Sequence, residues 1–332
     1  IIMPSLKIGS YQLFTSESSF REKIHPRIKI VGYRLLYIYV ALTFIQVILM
    51  CLGGMNLYES LCHAFGTIAT GGFSPKNTSI ADYSPYIQYV IMIFMFLAGT
   101  NFIVHYFLIK GKFNKILEND EFWFYLFWIL FSGVFVTVFL YLNSGLDFEN
   151  SFRDAFFQVI SIITCTGFAT TDYLTWPVFL WIFIFALMFL GGSTGSTAGG
   201  IKMARHLVFF KSIRENFKKL IHPNMVSVIR LNGNVIHEEN KLSIKTFVSW
   251  YILVFIIGTF LMILTGIDGK TAAGAAITTM GGIGPGIGTV GPASNFAHLP
   301  EAGKTILILL MLLGRLELYT ILILFIPAYW KA

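Results

Sequence analysis

Three short glycine-bearing stretches hold the residues whose type and spacing point to a chemistry. Met280-Gly281-Gly282-Ile283-Gly284-Pro285-Gly286-Ile287-Gly288 is the densest, and Ala69-Thr70-Gly71-Gly72-Phe73-Ser74 and Cys165-Thr166-Gly167-Phe168-Ala169 resemble it. Each sits beside long apolar segments, where irregular backbone survives only if it is buried in protein or lines water. Glycine opens backbone angles that can aim successive carbonyls inward. The chemistry on offer is therefore non-covalent: peptide oxygens replacing the water around a dehydrated cation. The candidate segments are 69–73, 164–168 and 281–285. Within them the candidate ion-binding positions are Thr70, Gly71, Gly72, Cys165, Thr166, Gly167, Ile283 and Gly284, acting through carbonyls and not side chains. The competing reading is three tight turns that close re-entrant helices.

A second constellation is the run Gly191, Gly192, Ser193, Thr194, Gly195, Ser196, Thr197, Ala198, Gly199 and Gly200. It cannot hold a regular helix well, since each glycine costs up to about 1 kcal/mol relative to alanine. As a phosphate loop it fails, because Gly200-Ile201-Lys202-Met203 replaces the required Gly-Lys-Ser/Thr. A passive kink and a moving part both remain open. Arg315 lies in an otherwise apolar span, where a lone arginine costs about 2.5–3.5 kcal/mol on insertion scales. It is expected to line a cavity below the filter and to bond carbonyls or hydroxyls of 191–200. Pairing with Glu317 is the alternative, although helix neighbours two apart do not face each other.

Other polar residues divide less sharply. Gly99-Thr100-Asn101 either lines the same cavity or makes a small-residue packing contact. His63 and His105 read as buried, satisfied histidines. Asp172 either concentrates cations at a filter mouth or caps a helix. Cys51, Cys62 and Cys165 lack paired or metal-ligand spacing and read as bystanders.

The elements that must position these residues follow from composition. Apolar residues make up 55% of the chain and charged ones 12%, against roughly 25% charged in a soluble domain; the mean hydropathy is +0.71. This is an integral membrane protein. Segments 33–52, 83–109, 121–142, 174–190, 246–264 and 305–330 are each long enough to cross a core of about 30 Å. The formal charge of +7 does not indicate nucleic acid, because the cations gather in alternate loops. They fall at Arg21 to Lys29, Lys110 to Lys115 and Lys202 to Lys245, whereas the opposite loops carry only Lys76, Arg153, Lys270 and Lys304. By the positive-inside rule the basic linkers are cytoplasmic and the glycine loops face outward.

The chain also repeats. A span ends at Gly54, Gly145 or Gly266, with Asn56, Asp147 or Asp268 placed to cap a helix. A short helix follows (56–68, 150–163, 269–279), then the glycine loop, then a second span with an interior glycine. The intervals from turn glycine to loop glycine are 18, 22 and 18 residues; those from loop glycine to Gly99, Gly192 and Gly314 are 27, 25 and 30. Each short helix aims its C-terminal end, with roughly half a negative charge, into the membrane. Three such units leave a symmetric ring open and four would close it. Ile1 to Leu13 reads as the tail of a preceding unit, so an N-terminally incomplete sequence is expected.

With these residues together, the chain resembles the TrkH/KtrB family of bacterial potassium uptake proteins. Gly71-Gly72-Phe73-Ser74, Thr166-Gly167-Phe168-Ala169 with Thr171-Asp172-Tyr173, the run from Gly191 to Lys202, and Gly284-Pro285-Gly286-Ile287-Gly288 with Gly314-Arg315-Leu316-Glu317 carry the resemblance. It implies an all-α polytopic fold of pseudo-fourfold span–pore-loop–span repeats around a central pore. Three repeats are complete: 30–115, 116–219 and 244–332. Residues 1–29 end a first repeat, and 220–243 form a cytoplasmic linker. It also implies potassium uptake across the bacterial inner membrane through a backbone filter, passively or by ion-coupled symport, with 191–200 as an intramembrane gating loop that Arg315 holds closed. Implied partners are the bilayer, a homodimer mate and a cytosolic nucleotide-binding regulatory ring of the TrkA/KtrA type, docked on the basic stretch Arg205 to Lys219. Potassium is the transported ligand and no covalent cofactor is expected. The missing first loop leaves a sodium-permeable or weakly selective pathway as the alternative.

Two other classes fit poorly. The spans carry no His/Asp/Glu cluster for an intramembrane enzyme. A solute transporter with broken helices would favour inverted repeats, whereas these all run the same way.

Overall fold

The computed structural model describes residues 28–225 and 228–315. Nearly all of 1–29, the far half of the last expected span and Glu317 lie outside the described residues. In chain order the helices are α1 (Ile28–Leu52), α2 (Leu57–Ile68), α3 (Pro85–Gly99), α4 (Phe102–Ile109), α5 (Phe113–Leu117) and α6 (Asp120–Ser144). There follow α7 (Phe148–Ile163), α8 (Val178–Leu187), α9 (Met203–Ile221), a two-stranded hairpin of β1 (Arg230–Leu231) and β2 (Asn234–Val235), α10 (Glu238–Leu264), α11 (Gly269–Gly281) and α12 (Glu301–Arg315).

The long first helix of each unit, α1, α6 and α10, is apolar enough to cross a membrane, and its outward residues, such as Phe44, Phe127 and Phe260, are exposed as a lipid-facing surface requires. The three short helices α2, α7 and α11 fall where the repeat predicts them. Asn56 caps α2 by accepting the Glu59 N–H at 2.8 Å, and Asp268 caps α11 by accepting the Thr271 N–H at 3.0 Å. Hydrogen bonds from Thr271 hold the Asp268 carboxyl below the usual carboxylate range. Asp147 occupies the same position before α7, but its side chain bonds no N–H there.

The core gathers around α7, whose Phe157, Ile162 and Ile163 are fully buried. The small residues Ala272, Gly274, Ala275 and Ala276 of α11 are also buried and permit close packing; at Gly274 it is the Ile287 backbone that comes close. An aromatic seam fixes the short α8 to α6, with Phe135 4.7 Å from Phe183 and Phe139 5.1 Å from Phe179.

The second spans depart from expectation. Residues 83–109 form two helices, α3 and α4, bent by 102°. The break has a local cause: Asn101 accepts the Ile103 N–H at 2.8 Å and so begins a new helix. Gly99 is a packing contact, since a Cβ there would lie 2.6 Å from the Thr164 methyl and from the Tyr125 hydroxyl. Similarly, only Val178–Leu187 of 174–190 is α-helical, and a 3-10 turn occupies Tyr173–Thr175.

On the charge-rich side, the basic stretch is helical as expected, but part of its charge is used internally. Lys211 pairs with Asp120 at 2.7 Å, Arg205 lies 3.9 Å over the Phe247 ring, and buried Glu215 bonds both Lys219 and Lys241 at 3.1 Å. Burial would lift the Glu215 carboxyl, but the two lysines outweigh it and hold that carboxyl below its ordinary value. The hairpin turns at Asn232-Gly233, a pair suited to a two-residue turn, and the Asn232 side chain accepts the Asp120 N–H at 2.8 Å.

Packing at the α6–α7 seam yields a stability test. A Cβ on Gly133 would lie 2.5 Å from the Phe156 ring, whereas one on Gly32 of α1 meets nothing within 4 Å. Gly133→Ala is expected to destabilise the protein by about 1–3 kcal/mol through overpacking, and Gly32→Ala to stabilise it by about 0.5–1 kcal/mol. Thermal unfolding in detergent should move in opposite directions for the two.

Candidate functional site

The three glycine loops share one backbone construction. Taking Thr70, Cys165 and Gly282 as the first position of each loop, all three have left-handed φ angles, of 50°, 53° and 67°. The third positions, Gly72, Gly167 and Gly284, are left-handed too, at 64°, 86° and 107°. Thr70 and Cys165 are unusual there, because non-glycine residues avoid positive φ.

Hydrogen bonding explains what this alternation accomplishes. The N–H groups of Gly71 and Gly72 both reach back to the Gly66 carbonyl, at 2.7 and 3.2 Å. Those of Thr166 and Gly167 reach Ser161, at 2.9 and 3.3 Å, and that of Ile283 reaches Thr278 at 2.9 Å. A trans peptide points its C=O opposite to its N–H. The carbonyls of Thr70, Gly71, Cys165, Thr166 and Gly282 must therefore point away from the short helices. No carbonyl at positions 70–72, 165–167 or 282–284 accepts a hydrogen bond from the described residues.

Just beyond the second and third loops the pattern reverses. Phe168 O accepts the Ser161 hydroxyl at 2.6 Å, Ala169 O accepts the Ile80 N–H at 3.0 Å, Pro285 O accepts the Thr278 hydroxyl at 2.9 Å, and Gly286 O accepts the Tyr173 hydroxyl at 2.6 Å. Ser161 and Thr278 occupy the same place in their helices, each seven residues before its acceptor. Gly66 holds that place in the first loop, and a Cβ there would lie 3.1 Å from the Phe73 carbonyl oxygen.

The loops also abut one another in register. A Cβ on Gly72 would overlap the Thr166 carbonyl oxygen, and one on Gly167 would overlap that of Ile283. Gly284, next in the series, meets nothing within 4 Å. At the other edge Phe73 is 82% exposed, whereas its counterpart Phe168 is fully buried against the His63 ring, 5.7 Å away. Among the described residues the three loops thus form a continuous arc that nothing closes at Gly284 or Phe73.

Directly beneath the arc runs the interruption between α8 and α9. Its limbs pair through Gly191 N–H to Ile201 O at 2.9 Å and Met203 N–H to Gly192 O at 3.1 Å. A Cβ on Gly199 would overlap the Gly281 carbonyl oxygen, and one on Gly200 would lie 3.3 Å from the Cys165 sulfur. The Thr197 hydroxyl donates to Ile68 O at 2.8 Å, and the Thr70 hydroxyl donates to Thr197 O at 2.9 Å. Thr197 of loop 191–200 is therefore fastened by a pair of bonds to the end of α2 and the start of the first glycine loop. Ser193 N–H reaches Gly99 O at 2.9 Å, and Gly195 O accepts the Phe102 N–H at 3.2 Å, so the break in the preceding span supplies the loop's seat.

Several sequence expectations change in detail. Gly282, inside the candidate segment 281–285 but not among the candidate ion-binding positions, occupies the first position of the third loop, while Gly281 ends α11. Arg315 lies near enough to Cys165 and Lys202 to act on both electrostatically, and Gly314 packs on the Met280 carbonyl. Its side chain is exposed and, among the described residues, bonds no atom of the 191–200 loop. Lys202 does so instead, donating to the Ala198 carbonyl. Asp172 caps the 3-10 turn by accepting the Leu174 N–H at 2.9 Å. His63 is buried with both ring nitrogens engaged, by Glu59 O at 2.8 Å and the Ser74 hydroxyl at 3.0 Å; His105 reaches Leu97 O at 2.8 Å.

A family profile described as TrkH, cation transport protein, matches residues 1–332. The chain belongs to the TrkH family. It is 37% identical to the Trk system potassium uptake protein TrkH of Salmonella typhimurium over 99% of this chain and 69% of that protein, and 36% identical, with the same coverage, to TrkH of Escherichia coli. The crystal structure of the potassium transporter TrkH from Vibrio parahaemolyticus superposes with a TM-score of 0.87 at 33% identity, covering 93% of this chain and 67% of that one. TrkH-family membership makes this a transporter-family membrane protein, and the mainly helical architecture agrees with that crystal structure.

The loop geometry separates two kinds of glycine. Gly167→Ala would combine left-handed strain, about 1–3 kcal/mol, with backbone overlap on Ile283; Gly282→Ala carries the strain alone. Gly167→Ala is expected to lower monovalent-cation tracer flux at least about tenfold at unchanged membrane abundance, and Gly282→Ala by less. Equal losses would show that the contact between loops is irrelevant.

Proposed function

We propose that this chain carries potassium across the bacterial inner membrane through a path walled by the carbonyls of residues 70–72, 165–167 and 282–284. The observation that carries the reading is the set of oxygens that accept no hydrogen bond from the described residues. Buried backbone carbonyls are nearly always paired; among the described residues those of buried Thr70, Cys165, Thr166 and Ile283 are not, whereas those of Phe168, Ala169, Pro285 and Gly286, just beyond the second and third loops, are. Oxygens turned together toward one space, above three helix C-termini, suit a monovalent cation that has shed its water. The names of the relatives support potassium as that cation. Closure of the arc needs a fourth wall against Gly284 and Phe73, and a weakly selective pathway is what an open arc would give.

Loop 191–200 is the proposed gate. Its support is position: it crosses under the arc, touches Cys165 and Gly281, and brings Lys202 close to Arg315. Two positive charges there oppose a cation leaving the arc on the cytoplasmic side. On this reading the Arg205 to Lys219 helix, α9, is the docking surface for a cytosolic nucleotide-binding ring, and two copies of the chain form a dimer.

Rubidium uptake into cells lacking their own potassium uptake tests the substrate. Expression should restore uptake that a tenfold excess of sodium, roughly one factor of 1.4 kcal/mol in discrimination, does not halve. Equal competition by sodium would replace potassium uptake with the weakly selective pathway. Arg315→Ala is expected to raise resting leak severalfold without changing that competition; an unchanged flux–voltage relation would remove Arg315 from the gate.

A further inference from the structure

Glu121 stands at the start of α6, beside the gating loop, and is only 4% exposed. An ionisable group buried inside a membrane protein is costly and is retained for its partners. Its partners here are two backbone amides. Oε1 accepts the Thr194 N–H at 2.5 Å and the Ala204 N–H at 3.1 Å. Thr194 lies on the outgoing limb of the interruption, and Ala204 lies in the first turn of α9, where the returning limb ends. One carboxyl oxygen therefore ties together both ends of the segment. The Ala204 amide is also one of the first-turn donors that a helix cannot satisfy from within.

The surroundings keep the carboxyl in place. Asn119 caps α6 by accepting the Phe122 N–H at 2.9 Å, and Asn232 of the hairpin holds the neighbouring Asp120 N–H. Lys202, within electrostatic reach of Glu121, donates to Ala198 on the returning limb. The far end of the loop is fastened separately, by Thr197 and Thr70. Among the described residues no hydrogen bond joins Glu121 to the glycine arc, so its influence on transport passes through the loop.

We propose that Glu121 is the positioning residue that clamps loop 191–200 beneath the arc and sets how often the loop leaves that place. This rests on the loop being the gate. Charge-assisted bonds to amides are about twice as strong as neutral ones. Weakening them shifts the loop toward its displaced state, while the arc keeps its shape.

Four proteins test this: the parent chain, Glu121→Gln, a chain with 193–199 replaced by two glycines, and the combination. Glu121→Gln should raise resting rubidium uptake about tenfold, roughly the weight of one such bond, with the rubidium-over-sodium preference unchanged. On the loop-replaced background it should add nothing. In a Ser196→Cys chain, Glu121→Gln should also speed labelling by a membrane-impermeant thiol reagent applied from the cytoplasmic side, relative to the same chain with Glu121. A purely structural role would instead lower uptake in proportion to assembled protein and leave labelling of the assembled fraction unchanged. Should Glu121→Gln fail to assemble, Glu121→Asp, which retains the charge but shortens the reach, should show the same rise in uptake and labelling. Parent-like uptake and labelling in the assembled variant would overturn the clamp, as would an altered sodium preference. If loop replacement itself leaves uptake at the parent level, the gate reading fails; if it raises uptake and Glu121→Gln does not, the clamp alone fails.

Discussion

Everything in this structure depends on where a few amide hydrogens go. In each glycine loop the N–H groups are spent on carbonyls one turn back in the preceding short helix, at Gly66, Ser161 and Thr278. Once those donors are committed, peptide planarity leaves the attached oxygens no choice of direction. The helix thereby acts as a jig for the loop, and the left-handed residues are what let consecutive planes face the same way. Two of them, Thr70 and Cys165, take up that conformation without being glycine, which requires a surrounding structure firm enough to hold them. The Thr70 hydroxyl on Thr197 and the burial of Cys165 supply part of that firmness.

Around this jig the other elements divide into walls and props. The long helices α1, α6 and α10 face outward with aromatic and aliphatic side chains. Of the short helices α7 and α11 are mostly buried, α11 being built almost wholly of small residues, whereas α2 leaves Leu57, Tyr58 and Phe65 exposed. The second spans give up regular helix where they pass beneath the loops: at Gly99 to Asn101 by a sharp bend, and at Gly191 to Gly200 by an excursion. These two irregularities are complementary, since the carbonyl of Gly99 and the amide of Phe102 bond the excursion directly.

Much of this was legible in the residues. Glycine intervals point to three similar units, and Asn56 and Asp268 cap as their chemistry demands. What stayed hidden was hidden for physical reasons. The bend of 102° is invisible to hydropathy, which registers apolar content and not direction. Gly282 was passed over because paired glycines at a helix end do not reveal which one turns left-handed. Ser161 and Thr278 look like unremarkable helix residues until the loop folds back and sets a carbonyl above each hydroxyl. Glu121 follows Asp120 in the first turn of a helix, where acidic residues are ordinarily solvated partners of the helix dipole. Only the tertiary arrangement shows that one of the pair is buried. Arg315 errs in the opposite sense: cost arguments place it indoors, yet Lys202 makes the contact expected of it.

Among the described residues the excursion beneath the arc occurs in one unit, and its bulk gives a reason. A ring of identical subunits that each carried such an arm would crowd every arm onto the same axis. Threading the units on a single polypeptide removes that conflict, because each quarter can vary independently of its siblings. Among the described residues, one unit furnishes the excursion, another is bent to receive it, and a third brings Arg315 within electrostatic reach of Lys202. Concatenation, in this architecture, is what permits division of labour around a nearly symmetric centre.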